Sequence, residues 1–352
     1  MADRPGAPLR LIHSRAPLRA NDIGGWTDTW FAKEGCVLNV AFAPAVEVEV
    51  KAFPNVERAA PRVLVRAENY GETFVMDPAR PSLEPHGFLQ HTIATFVPPE
   101  DWRVEVNIYS PVPAGISTGT SASICVALLG AFGRLAGRDV GRDEVVSLAH
   151  DVETVKLKQQ SGIQDQICAA HGGISFIEMP RYPEARVERL ELPDRVREEL
   201  GRRLLVVYLG RPHSSSATHE QVIARLESGE DPGPWRQLET MKRLAREARG
   251  HLLAGDLEAY GRAMSANTEC QRALFDGLVS SDADAVIEVC RRHGASGWKV
   301  NGAGGQGGSL TLLAGADDRE RHLLGEALNA LGGGIRTLPA WLSPGGLTVW
   351  EV

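Results

Sequence analysis

Alternation of apolar and polar residues marks several strands. Val46-Glu47-Val48-Glu49-Val50 repeats with period two, as do VLVRA at 63–67 and WRVEVNIYS at 102–110, so each is predicted as a half-buried strand. The first of these closes an apolar stretch, CVLNVAFAPAVEVEV. The segment before it, RAPLRANDIGGWTDTWFAKEG, is polar and glycine-rich and reads as an irregular opening. Residues 77–99 hold five prolines, which leaves room for one short helix around 88–96.

Spacing of 3.6 residues then takes over. It predicts helices over 121–135 and 142–158, followed by a glycine-bounded segment, SGIQDQICAAHGGISFIEM, with a short helix at QDQICAAH. A strongly apolar strand, RRLLVVYLG at 202–210, opens the second half. Amphipathic helices follow near 216–228, 235–253, 256–275 and 282–293. Strand-like SGWKV and SLTLL flank a glycine run, and a helix at 318–331 precedes a last strand, LTVWEV. Strands first and helices later in each half predict an α+β chain, not the regular alternation of a doubly wound sheet. At 352 residues the chain is long enough for two lobes with their own cores, divided here as 1–200 and 201–352.

Composition narrows the class. A hydrophobic share of 43% with 24% charged residues is that of a soluble globular protein. A net charge of −7 argues against a nucleic-acid surface. The longest apolar run, 122–132, is too short to cross a bilayer, so no membrane partner is expected. MADRPGAPLRLIHSRAPLR lacks the apolar core of an export signal, and the five cysteines are odd in number and widely spaced. A cytoplasmic protein with free thiols is the expectation.

Candidate chemistry centres on Pro111 to Ala131. Gly115, Ser117, Thr118, Gly119, Thr120, Ser121 and Ser123 crowd backbone N–H groups and hydroxyls into a loop that turns straight into an apolar helix. Such a helix start attracts anions, and a triphosphate is the natural tenant, with the hydroxyls of Thr120 and Ser121 available to its Mg²⁺. One such hydroxyl would more ordinarily cap the helix. The loop lacks the Lys of a Walker A motif.

Further along, Gly302-Ala-Gly304-Gly305-Gln-Gly307 fits GxGxxG in form, but a strand follows it where a dinucleotide fingerprint needs a helix. A glycine turn that lets backbone approach a ligand is the better reading. Asp165, between two glutamines, can take a proton from a substrate hydroxyl or merely cap its short helix. Glu153 can offer a carboxylate to Mg²⁺ or lie on a solvated face with Lys156 and Lys158. In the opening segment, Arg15, Arg19, Asn21, Asp22 and Asp28 surround Gly24-Gly25, with Trp26 and Trp30 flanking Asp28. Carboxylates beside apolar rings suit a pyranose, although a charged surface turn has the same composition.

Taken in order, these pieces resemble the GHMP kinase superfamily, which holds galactokinase, homoserine kinase, mevalonate kinase and sugar-1-kinases. RAPLRANDIGGWTDTWFAKEGCVLNVA is similar to the opening of D-glycero-D-manno-heptose 7-phosphate kinases, and GGWTDT also resembles L-fucokinases. The resemblance implies a two-lobed fold with the active site between the lobes and ATP with Mg²⁺ as cofactors. The implied reaction is transfer of a phosphoryl group to a sugar hydroxyl, at the anomeric C1 of a heptose 7-phosphate or a fucose-like sugar. It further implies Ser121 and Glu153 as Mg²⁺ ligands, Asp165 as base and Arg19 beside the transferred phosphate. Gly115, Ser117, Thr118, Gly119, Thr120 and Ser121 would wrap the nucleotide. Asp28, Asp22, Gly25, Trp26, Gly304 and Gly305 would meet the substrate. Departures are Ser117, Thr118 and Thr120 in a loop usually written GxGLGSS, and Asp22, Ile23 and Trp26 in the first motif. A non-catalytic sugar or nucleotide sensor, or a kinase for a non-sugar alcohol, are the alternatives on the same fold.

Overall fold

A computed structural model describes residues 8–56, 60–68, 71–212, 215–228 and 232–352. Residues 1–7 of the basic opening therefore lie outside the described residues. The larger sheet holds β1 (Arg10–Ile23), β2 (Gly35–Pro54), β3 (Val63–Ala67), β4 (Glu72–Met76) and β5 (Trp102–Tyr109), in the order β1-β2-β5-β3-β4. β3 and β5 run parallel and their neighbours antiparallel.

β1 is a strand where the sequence read as a loop. Its first half alternates, but from Ala16 to Ile23 both faces are buried. A strand covered on both sides has no period of two to read.

Helix α1 (Gly87–Ile93) precedes β5 and α2 (Thr120–Leu135) follows it. Nearly all of α2 is buried against β1 and β2, which explains why its sequence is apolar around its whole circumference. Burying each of its Ile and Leu side chains contributes about 1.5–3 kcal/mol. α3 (Arg142–Asp151) does not run on to 158 as an α-helix. It widens into a π turn over Val152–Lys156, a local insertion that re-aims side chains. Then come α4 (Gln164–His171), β6 (Ile174–Arg181), β7 (Glu184–Arg189) and α5 (Asp194–Arg203). β6 pairs with the first half of β2.

The second sheet is antiparallel. β8 (Leu204–Leu209) leads to four helices, α6 (Ser215–Ser228), α7 (Gly233–Ala254), α8 (Leu257–Leu274) and α9 (Ser281–Arg292). After them come β9 (Gly297–Val300), β10 (Ser309–Leu313), α10 (Asp318–Asn329) and β11 (Ile335–Leu338), with strand order β11-β8-β10-β9. Gly255, with φ at 72°, ends α7, and Asp256 caps α8 by accepting the Ala259 N–H at 2.9 Å.

The chain then returns to the first sheet. β12 (Trp341–Leu342) pairs with β2, and β13 (Thr348–Glu351) pairs with β1. Residues 341–351, placed with the second lobe by a division at 200, thus belong to the sheet of the first. The halves also share a core, in which Ile23, Trp26 and Leu38 pack with Met241, Leu244 and Tyr260 from α7 and α8. Among the described residues, no helix is long and apolar enough to cross a membrane.

Candidate active site

A cleft of about 330 Å³ lies where β1, the loop after β5, α4 and the turn after β9 converge. Its loop wall is tied down from behind. The Arg19 N–H donates to the Thr118 carbonyl at 2.9 Å, the Ser309 hydroxyl donates to the Ile116 carbonyl at 2.6 Å, and the Ser123 hydroxyl donates to the Pro17 carbonyl at 2.7 Å. Gly115, Ser117 and Gly119 all take positive φ, so the two glycines are needed and Ser117 is held against its preference. The Ser117 Oγ is buried with no hydrogen-bond partner. At the start of α2, the N–H groups of Thr120, Ser121 and Ala122 have no acceptor within the helix and line the cleft.

Asp165 stands opposite. A Cβ added to Gly119 would lie 3.0 Å from its Cγ, so the carboxylate rests directly on the head of α2. Arg19 holds it there, with Nε donating to Asp165 Oδ1 at 2.7 Å, and Arg19 Nη1 meets Asp22 Oδ1 at 3.1 Å. Burial alone would favour loss of the Arg19 charge, but the two carboxylates outweigh it and raise the guanidinium pKa further. Asp165 itself stays open to the cleft, its side chain 31% exposed.

Asp22 is fully buried beneath this pair. It receives Arg19, Lys299 Nζ at 3.3 Å and the Gly302 N–H at 3.1 Å. Desolvation pushes its pKa up, yet the two cations and the backbone donor bring it below the usual value. Asp22 lines the cleft, where a substrate contact was expected of it, and its oxygens already meet these protein donors. Gly25 does not line the cleft: its N–H donates to the Asp22 carbonyl at 3.0 Å, and a Cβ there would sit 2.4 Å from Asp22 Oδ2. It makes room for the buried carboxylate.

Asp28 is similarly occupied. Its Oδ2 accepts the N–H groups of Ile163 and Gln164 at 3.0 and 3.1 Å, and Gln164 Nε2 approaches Oδ1 at 3.3 Å, so Asp28 caps the helix that carries Asp165. Desolvation raises its pKa to about 6 against those donors. Glu153 faces the cleft because the π turn swings it inward. Its Oε2 accepts Ser161 Oγ at 2.5 Å and Gln166 Nε2 at 2.6 Å, and burial raises its pKa to about 7. Ser121 is exposed at the head of α2, on the cleft wall.

The late glycine turn needs a second correction. Gly302 and Ala303 line the cleft, whereas Gly304 and Gly305 do not. The Gly305 N–H donates to the Leu278 carbonyl at 2.8 Å, and a Cβ on Gly304 would meet that carbonyl oxygen at 2.3 Å. The close approach that the glycines permit is to backbone after α8. Trp26 does line the cleft, buried and with φ at 82°. Sequence reasoning assigned no role to Lys299, Gln166, Ser161 or His219. A Lys within the apolar strand GWKV was the one local hint for the first.

The donor set fits a nucleotide with its metal. An orphaned buried hydroxyl, free helix-start N–H groups and two glycines with positive φ make a cradle for phosphate oxygens. Among the described residues no group of three or more His, Cys, Asp or Glu side chains forms a metal cage. One carboxylate beside a phosphate cradle is the pattern Mg²⁺ takes, since it keeps waters and shares phosphate oxygens.

Comparisons with known proteins agree with this geometry. Residues 89–173 match the GHMP kinases N terminal domain. The chain is 30% identical over 217 residues to a mevalonate kinase of Thermococcus sibiricus, covering 60% of this chain and 60% of that protein. Over 205 residues it is 22% identical to a D-glycero-alpha-D-manno-heptose 7-phosphate kinase of Campylobacter jejuni, covering 57% and 59% of the two chains. These matches thus span less than two thirds of either relative's length. The solved structure of a D-glycero-D-manno-heptose 1-phosphate kinase from Bacteriodes thetaiotaomicron superimposes with a TM-score of 0.73 at 20% identity, over 97% of this chain and 99% of that one. The superfamily and the mixed fold expected from the three motifs are those that these matches give.

Proposed function

We propose that this chain, a GHMP kinase superfamily member whose residues 89–173 carry the N-terminal kinase domain, is an ATP-dependent small-molecule kinase. Its acceptor is a sugar hydroxyl, at the anomeric C1 of a heptose 7-phosphate or a fucose-like sugar. The observation that carries this reading is Asp165, fixed by buried Arg19 against the first turn of α2 and open to the cleft.

Bound MgATP would supply the γ-phosphoryl group, whose bond to ADP breaks as a bond to the acceptor oxygen forms. The chain's own part is positional and electrostatic. The N–H groups at the head of α2 and the Ser117 hydroxyl would hold the phosphates, and Ser121 and Glu153 would be the ligands for Mg²⁺. Asp165 accepts the hydroxyl proton of the acceptor, and Arg19 keeps that carboxylate aimed. Asp28 and Gln164 fix the start of α4 so that Asp165 cannot drift.

The heptose kinases among the relatives favour a sugar, and the mevalonate kinases favour a non-sugar alcohol. ADP release from MgATP against free and phosphorylated sugars, mevalonate and homoserine separates them. Turnover with one acceptor, reduced about 10²–10⁴-fold in Asp165→Asn, is the expected result. Near-normal turnover in that variant would remove Asp165 as the base. Turnover with mevalonate alone would remove the sugar.

A further inference from the structure

We propose that the Trp26 side of this cleft selects an uncharged sugar, read by the indole N–H of Trp26 and Nδ1 of His219. The inference rests on the kinase reading above and narrows its acceptor. Trp26 is 4% exposed, yet its Nε1 has no hydrogen-bond partner. His219, reaching in from α6, sets its ring edge on the indole with centroids 5.0 Å apart at 70°. Its Nδ1 also lacks a partner, while the ring is hydrogen-bonded to the backbone of Gln160.

A buried indole N–H ordinarily finds an acceptor, and leaving it unmatched costs free energy. Two unmatched nitrogens on touching rings, both in the cleft wall, form a site that a ligand's oxygens would complete. Gln164 adds a third, since its Oε1 is buried and unpartnered. Hydroxyl groups both donate and accept, so one polyhydroxylated ring can satisfy donor and acceptor together. The indole also offers an apolar surface to the C–H face of a pyranose. Trp26 holds this place with a positive φ, a costly conformation for so bulky a residue.

Charge points the same way. Arg19 is the one Lys or Arg among the described residues lining the cleft, and it already meets Asp165 and Asp22. Of the carboxylates that line the cleft, Asp22 is paired with Arg19 and Lys299 and Asp28 caps α4, which leaves Glu153 and Asp165 to face a bound acceptor. Desolvation lowers the His219 pKa, so that ring enters as a neutral group. A phosphate or carboxylate on the acceptor would face these carboxylates, whereas a free sugar meets only hydrogen-bonding groups.

The test pairs calorimetric binding with ADP release. The full chain is given L-fucose, D-galactose, D-mannose, D-mannose 6-phosphate and mevalonate, each with MgATP. A free sugar should bind and be phosphorylated, with kcat/KM about tenfold or more above either anion. Trp26→Phe and His219→Phe should each raise the KM for that sugar about fivefold, while kcat moves less than about threefold. Preference for mannose 6-phosphate or mevalonate overturns the proposal and leaves the kinase standing. A free sugar that binds without ADP release overturns the kinase and leaves the proposal. Binding by none of the three free sugars, or an unchanged KM in both variants, overturns the role given to Trp26 and His219.

Discussion

Replacing Asp22 by Asn should be among the most damaging isosteric changes available to this protein. The substitution keeps shape and removes one charge between Arg19 and Lys299, both of which are buried. At 3.3 Å the attraction between Lys299 and Asp22 amounts to about 5 kcal/mol, taking an effective dielectric of about 20. Arg19 keeps Asp165 as a partner, so Lys299 bears the loss. Removing one member of a buried pair leaves an uncompensated charge and costs about 3–5 kcal/mol. The loss carries a pH signature. Burial already lowers the Lys299 pKa, opposed by Asp22. Without Asp22 it falls further, so the unfolded chain binds more protons than the folded one and stability rises with pH. Urea unfolding should therefore show the deficit of Asp22→Asn shrinking between about pH 7 and about pH 9.5. Asp22→Asn combined with Lys299→Met should recover at least half of the loss, because no unpaired charge remains. A deficit under about 1 kcal/mol, or one that is flat with pH, would refute the reasoning.

Two further outcomes follow from the cleft. The raised pKa of Glu153, about 7, means that its protonated form favours the fold: that stability is present below the ordinary value of 4.5 and lost as pH rises through about 7. Metal-free Glu153→Gln should thus melt above the wild type at about pH 8 and converge with it near pH 5, and Mg²⁺ should raise the wild-type Tm more at the higher pH. Thermal scans that coincide at both values would contradict this. Asp28→Ala leaves the N–H groups of Ile163 and Gln164 unpaired, which should cost about 1–3 kcal/mol and lower kcat through the displaced α4. A native Tm together with native kcat would show that the cap is dispensable.

The legible parts of the fold were those with a single covered face. VLVRA and WRVEVNIY alternate in burial as they do in polarity, and the helices after β8 show their periodic faces. β1 was hidden because its buried half carries Arg19, Asn21 and Asp22, residues that read as a loop until their partners are known. Those partners are remote: Lys299 lies 277 residues from Asp22. The π turn that turns Glu153 inward has no signature in polarity. Glycines at 304 and 305 announced a close approach, but composition cannot say to what, and the neighbour is the Leu278 carbonyl. Asp28 and Asp165 were picked out as residues, while the link between them through the start of α4 appears only in three dimensions.

The inner end of β1 also bears on how such chains can be recombined. Asn21 donates its backbone N–H to Asn301 Oδ1 at 3.1 Å and to Thr311 Oγ1 at 3.2 Å, and its side-chain amide to Tyr260 at 2.5 Å. Asp22 and Lys299 sit beside it. A chimera that joins the first half of this chain to a foreign second half inherits one side of that lattice and must import the other. The units of exchange are therefore sets of residues drawn from both ends of the gene, and a single crossover in the middle separates what has to travel together.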